Sequence, residues 1–199
     1  MYHQMENAFA HVEVDELGAQ LHSLRRRKDG YEYLWQGDPA IWPGQAPILF
    51  PIVGSLAEER YWLGGQPYQM PRHGFARRKR FFCVDESNDR LVFSLTDDVE
   101  TRAQYPFAFE LRVTYLLTGQ KLGVTHTVLN PAAEPCIFHS AHILLFAAKL
   151  GIRSALSAVR KTCIPSVSGR MAYAPASYLL CLAMAVKLKL QRSSSFMMR

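Results

Sequence analysis

Two of the seven histidines stand where their surroundings suggest chemistry. His73 lies in Pro71-Arg72-His73-Gly74-Phe75-Ala76-Arg77, beside a glycine that permits close backbone approach and between two guanidinium groups. An imidazole titrates near neutral pH, so it can exchange a proton while its arginine neighbours stay charged. The competing reading is a solvated loop histidine, with Arg77-Arg78-Lys79-Arg80 a charged strand edge. His142, in Ser140-Ala141-His142-Ile143, is the second candidate. Acid–base catalysis across a substrate needs a proton donor and a proton acceptor held at opposite ends, and no Asp or Glu follows Glu134. The cysteines Cys83, Cys136, Cys163 and Cys181 have no CxxC spacing. Free thiols in a reducing cytoplasm are therefore expected.

The elements that would position these residues read as short strands. Alternation is clear where Ala10, Val12 and Val14 interleave with His11, Glu13 and Asp15. AQLHSLRRR and YEYLW follow, joined by a Lys28-Asp29-Gly30 turn. Ile48-Leu49-Phe50 and Ile52-Val53 read as short buried strands interrupted by Pro51. RYWL-GG-QPYQM has the form of a hairpin, and RFFCVDE, RLVFSLTDD, FAFELRVTYLL and KLGVTHTVLN alternate between turn signals. The expected class is all-β, an antiparallel β-sandwich over residues 1–137. Residues 138–199 form an atypical tail, expected to be helical or disordered, with HILLFAAKLGIRSALSAVRKTC and ASYLLCLAMAVKLKLQR as the helical segments. Its apolar run is too short for a membrane span, and MYHQMENAFAHVEVDE lacks the basic start and apolar core of a signal peptide.

Charge separates the two parts. Residues 1–134 hold 14 Lys/Arg and 17 Asp/Glu, whereas residues 135–199 hold nine Lys/Arg and no carboxylate. The net +6 thus belongs to the tail. A basic nucleic-acid-binding surface built on Arg25-Arg26-Arg27-Lys28 and Arg77–Arg80 is the weaker reading, since the first run sits at a turn and charge runs are usually solvated. No nucleic-acid or membrane partner is expected, and the sequence assigns no oligomeric state.

Several separated blocks carry a family resemblance. They are Leu34-Trp35-Gln36-Gly37-Asp38-Pro39, Gln45-Ala46-Pro47-Ile48-Leu49-Phe50-Pro51-Ile52-Val53-Gly54-Ser55-Leu56, the Pro71–Arg77 element, Tyr105-Pro106-Phe107 with Phe109-Glu110-Leu111-Arg112-Val113, and Asn130-Pro131. In order and spacing they resemble the LacX-like branch of the aldose 1-epimerase family, over roughly residues 6–138. The resemblance implies a galactose mutarotase-like supersandwich that binds an aldohexose, or a derivative of one, in an open cleft. There a histidine acts as general acid on the ring oxygen and a glutamate as general base on the anomeric hydroxyl. A second histidine, from the His-Gly element, assists binding and charge stabilisation. Ring opening lets either anomer re-form, without metal or organic cofactor. Carried onto this chain, His73 is the assisting histidine, with Arg72 and Arg77 facing sugar hydroxyls. Phe75, Trp35 and Trp42 are candidates to stack on a sugar face, or are core.

The acid histidine of the family lies in an F-x-x-G-A-H-P-A-F element, where this chain reads Phe138-His139-Ser140-Ala141-His142-Ile143-Leu144-Leu145-Phe146-Ala147. Reading the third base of each codon with the first two of the next permits P-F-G-A-H-P-A-F-R. The expectation is a slip of reading frame near residues 136–139, the alternative being a divergent helical tail. In frame, His142 only imitates the acid, and the base glutamate has no counterpart. The expected function is that of an aldose 1-epimerase-like protein, impaired or inactive in this truncated form; the alternative is a non-catalytic carbohydrate-binding β-sandwich.

Overall fold

The computed structural model describes residues 1–133, 135–148, 151–163 and 184–187, with side chains for residues 1–133 and 135–144. Strands β1 (Tyr2–Glu6), β2 (Ala10–Asp15) and β3 (Gln20–Arg26) form an antiparallel meander. The alternation in β2 is realised as read: Ala10, Val12 and Val14 are fully buried, between flanking polar residues that reach solvent. The next elements are β4 (Ile48–Leu49) and the hairpin of β5 (Arg60–Leu63) with β6 (Gln66–Gln69). Then come β7 (Phe82–Glu86), β8 (Arg90–Thr96), helix α1 (Val99–Gln104), β9 (Glu110–Thr118) and β10 (Lys121–Leu129). After β11 (Cys136–Ala148), β12 (Gly151–Cys163) and β13 (Met184–Lys187), the five-stranded sheet has the order β13-β10-β9-β8-β7 and a smaller sheet the order β12-β11-β4.

Period-two burial builds the core. Leu111, Val113, Tyr115 and Leu117 of β9 face inward beside Leu122, Val124, His126 and Val128 of β10. β1 packs on β7 and β8, and the Tyr115 hydroxyl donates 2.7 Å to the Ala19 carbonyl across the core. Phe50 centres an aromatic cluster with Phe75, Tyr105, Phe109 and Phe138, at ring separations of 5.1–6.1 Å.

Several expectations are corrected. Residues 142–148 and 151–163 are not helical: β11 and β12 pair antiparallel from Cys136↔Cys163 to Ala148↔Gly151. Helix propensity in an Ala- and Leu-rich run is a weak prior, and here the even-numbered residues Phe138, Ser140, His142 and Leu144 are buried in strand register beside β4. Within the second helical segment, residues 184–187 are strand, and the remainder lies outside the described residues. Tyr31–Trp35 forms only isolated bridges. The reason is Glu32, whose carboxylate accepts from Leu24 N–H, Leu34 N–H and the Ser23 hydroxyl, replacing ladder bonds with side-chain ones. Ile52-Val53 is not strand either. Helix α1, unread from sequence, starts on a reciprocal cap: Asp98 Oδ1 accepts from Thr101 N–H at 2.7 Å, and Thr101 Oγ1 accepts from Asp98 N–H at 2.8 Å. Among the described residues no helix is long and apolar enough to cross a membrane.

Candidate functional site

The turn at 71–76 is locked onto the chain that follows β4. Gly74 N–H donates to Pro71 O at 2.9 Å, closing the turn, and Phe75 and Ala76 N–H both donate to Phe50 O. Gly74 has φ +71°, and a Cβ there would collide with the Phe50 carbonyl, so the position demands glycine. His73 itself lies in the left-handed region, at φ +68°. Such a conformation persists in a non-glycine residue only where surrounding structure enforces it. Here the enforcement is a two-point clamp: His73 N–H donates to Gly54 O at 2.8 Å, and Gly54 N–H donates to His73 Nδ1 at 2.9 Å.

Both ring nitrogens face donors: Gly54 N–H at Nδ1 and Arg72 Nε–H, 3.2 Å away, at Nε2. The backbone donor is fixed and the arginine side chain is not, so the clamp favours the proton on Nε2, where it competes with Arg72 for the same side of the ring. Donors at both nitrogens disfavour a positive ring. Burial, then the charges of Arg72 and Arg77, hold the His73 pKa below its ordinary value. The half-buried Arg77 is anchored by its own donation to the Arg72 carbonyl at 2.9 Å, and the Arg72 N–H reaches Glu59 Oε1 at 3.4 Å. The result is a half-buried imidazole flanked by two guanidinium groups, a cluster rich in donors. It suits hydrogen-bonding to hydroxyl or anionic oxygens.

The structure brings Arg72, His73 and Arg77 together; it places Phe75 and His142 elsewhere. Phe75 is 3% exposed and packs edge-on against Phe50, so its ring belongs to the core. His142 is 1% exposed on β11, with Nε2 bonded to the Ala46 carbonyl at 3.0 Å. Its ring lies 5.6 Å from that of His126, whose Nδ1 is 2.8 Å from Ser140 Oγ. His126 Nε2 and His142 Nδ1 are buried without a hydrogen-bond partner among the described residues. Burial lowers both pKa values, His126 to about 3, with a further contribution from His142, and His142 to about 4. Both rings are neutral at physiological pH.

The sequence reading missed His126 and Gly54. The first was visible as a histidine in the inward register of Leu122, Val124 and Val128. The second had no signal beyond its place in the Gln45–Leu56 block. Of the aromatic residues, Trp35 and Trp42 are half-buried and tied by a 2.8 Å bond from the Trp35 indole to the Trp42 carbonyl. Neither His73 nor His142 belongs to a described cluster of three metal-ligating side chains.

The sequence model of the aldose 1-epimerase family matches residues 1–149. The plasmid-encoded protein LacX of Lactococcus lactis subsp. lactis is 38% identical over 148 residues, covering 70% of this chain and 48% of LacX. The crystal structure of a galactose mutarotase related enzyme from Lactobacillus acidophilus aligns with TM-score 0.73 and 36% identity, over 75% of this chain and 50% of that one. A galactose mutarotase-like protein from Lactobacillus casei ATCC 334 gives 0.71 and 37%, over 73% and 50%. The fold is thus galactose mutarotase-like, and the chain spans about half the length of the relatives it matches.

Proposed function

The chain belongs to the aldose 1-epimerase family, and from that premise we propose that it binds an aldohexose or a derivative through Arg72, His73 and Arg77, with anomer interconversion impaired. His73 Nε2–H and the guanidinium groups bond sugar oxygens; Phe75 acts from beneath, fixing the turn. The observation that carries the impairment is the burial of His142: its Nε2–H is already committed to Ala46 O, and the ring has no access to a substrate. No carboxylate follows Glu134 in this sequence to act as the family's base. Loss of a general acid or base costs roughly 10²–10⁴-fold each.

Residues 138–199 are read, in the same proposal, as translated out of frame, with residues 1–137 as the family portion. Translating the nucleotides of codons 130–150 in all three frames tests this; a G-A-H-P-A-F reading is expected, and its absence from every frame overturns the slip. A reducing cytoplasm suits the free thiols of Cys83 and Cys136. Polarimetry of α-glucose and α-galactose tests the activity, alongside sugar titration followed by NMR of the His73 ring. Binding lost in His73→Ala, with mutarotation at the uncatalysed rate, is expected. Rapid equilibration abolished by replacing His142 would overturn the reading.

A further inference from the structure

Away from the His73 turn, we propose a site for a thiophilic divalent cation of the zinc class, ligated by His3 Nδ1, Cys83 Sγ and Glu86 carboxylate where β1 meets β7. Three residues apart on a regular strand, Cys83 and Glu86 would point to opposite faces. The β-bulge at Val84 changes that: Cys83 pairs with Phe93, Asp85 with Val92 and Glu86 with Leu91. Residues paired across a strand share a face, so Cys83 and Glu86 both take the side of the fully buried Phe93 and Leu91. His3 pairs with the buried Val14, which puts it on the inner face of β1, its ring edge-on to Phe93 at 5.4 Å. The three ligand atoms lie within 4.8 Å of one another, with Nδ1 2.8 Å and Sγ 4.0 Å from Glu86 Oε2. A tetrahedral ion with bonds of about 2.0–2.3 Å holds its ligand atoms about 3.3–3.7 Å apart, so side-chain shifts of about an ångström bring the trio onto one ion.

The surroundings are those a ligating histidine requires. Metal-bound imidazoles donate their second N–H to a carboxylate, which fixes ring orientation. His3 Nε2 lies 3.1 Å from Glu16 Oε1, and Glu16 is in turn held by Arg80 at 2.6 Å and by the N-terminal amine at 3.7 Å. Imidazole with thiolate is a donor set for zinc rather than magnesium or calcium. One thiolate and one carboxylate neutralise the dication, and the thiol proton passes to solvent. Glu86, half exposed, leaves a side open for water as fourth ligand. The ion would join the first meander to the edge strand β7 of the five-stranded sheet.

The test uses the full chain without an affinity tag, reduced and stripped of metal, with Cys163→Ser and Cys181→Ser removing the C-terminal thiols. Cobalt(II) is titrated and the thiolate-to-cobalt charge-transfer absorption followed. One equivalent is expected, displaced by zinc(II); Cys83→Ser removes the band, and His3→Gln weakens binding. Glu16→Gln keeps the band but weakens binding about 10–100-fold, the usual effect of removing an outer-shell partner. No saturable band, or a band indifferent to Cys83→Ser, overturns the site and leaves His3 as an ion-pair bridge only. No sugar enters this assay, so its failure is separate from that of the proposed function.

Discussion

Replacing both core imidazoles by apolar residues, His126→Val with His142→Leu, should remove most of the chain's loss of stability in mild acid. In the fold, burial holds His126 at about 3 and His142 at about 4. Unfolded, both return to about 6.5. The folded values are the lower ones, so each ring's contribution is complete above about pH 6.5 and is lost as pH falls toward the folded values. Between pH 7 and pH 5, protonation of the unfolded chain stabilises it by about 2 kcal/mol per ring, or about 4 kcal/mol together, at 1.36 kcal/mol per unit. That is a large share of the 5–15 kcal/mol typical of a domain. Carboxylates held low by partners, such as Glu13 and Glu110, lose their contribution mainly below this window. His3, whose pKa is raised by its glutamate partners against the opposing effect of burial, acts in the opposite sense. Both are common to parent and variant and cancel in the comparison. Urea unfolding followed by tryptophan fluorescence at pH 7, 6 and 5 measures the effect. The parent midpoint should fall steeply and the variant midpoint little; two parallel curves would refute the reasoning. At pH 7 the variant should start lower, since the replacements leave the buried Ala46 carbonyl and Ser140 hydroxyl without their imidazole partners, at about 1–3 kcal/mol each, so the test reads the pH dependence of the midpoints and not their heights.

Two further outcomes follow from the His73 turn. Gly74→Ala should destabilise by more than about 2 kcal/mol, because backbone strain adds to collision with the Phe50 carbonyl. Gly64→Ala, also at positive φ but in open space, should cost only about 1 kcal/mol, and equal losses in urea unfolding would contradict the packing argument. Arg72→Gln and Arg77→Gln should each move the His73 midpoint up toward its ordinary value, by an amount that shrinks with added salt; an unmoved NMR titration would show that neither charge reaches the ring.

Much of the fold was legible because amphipathic strands reveal themselves by period two. β2, β9 and β10 show it plainly, and Gly64-Gly65 marks the β5–β6 hairpin. β1 was not legible, since its alternation is carried by one buried apolar residue, Met5, beside an inward-facing His3. Tyr31–Trp35 misled because its pairing with β3 is partial: Arg26 N–H donates to Tyr31 O and Tyr33 N–H to Leu24 O, while the Glu32 carboxylate takes the Leu24 and Leu34 N–H groups. At the site, His73 and its arginines were visible as a motif. The roles of Gly54 and Phe50 were not, since they arise from contacts between segments about 20 residues apart. The His3–Cys83–Glu86 group was beyond reach for a sharper reason: its assembly depends on one bulged residue, and bulges leave little trace in composition.

The same geometry limits what His73 can contribute to proton transfer. A neutral imidazole whose Nδ1 accepts from Gly54 N–H offers no second lone pair for taking a proton from a sugar hydroxyl. To act as an acid it would have to be positively charged, which burial, Arg72 and Arg77 all oppose. What remains at neutral pH is a fixed Nε2–H donor, able to bind an oxygen or to stabilise negative charge developing on it. Such a group lowers the barrier of a reaction whose protons move elsewhere and cannot carry them itself. On the function proposed above, a site relying on His73, with His142 buried in the core, would recognise a sugar without supplying the opposed acid and base that ring opening needs.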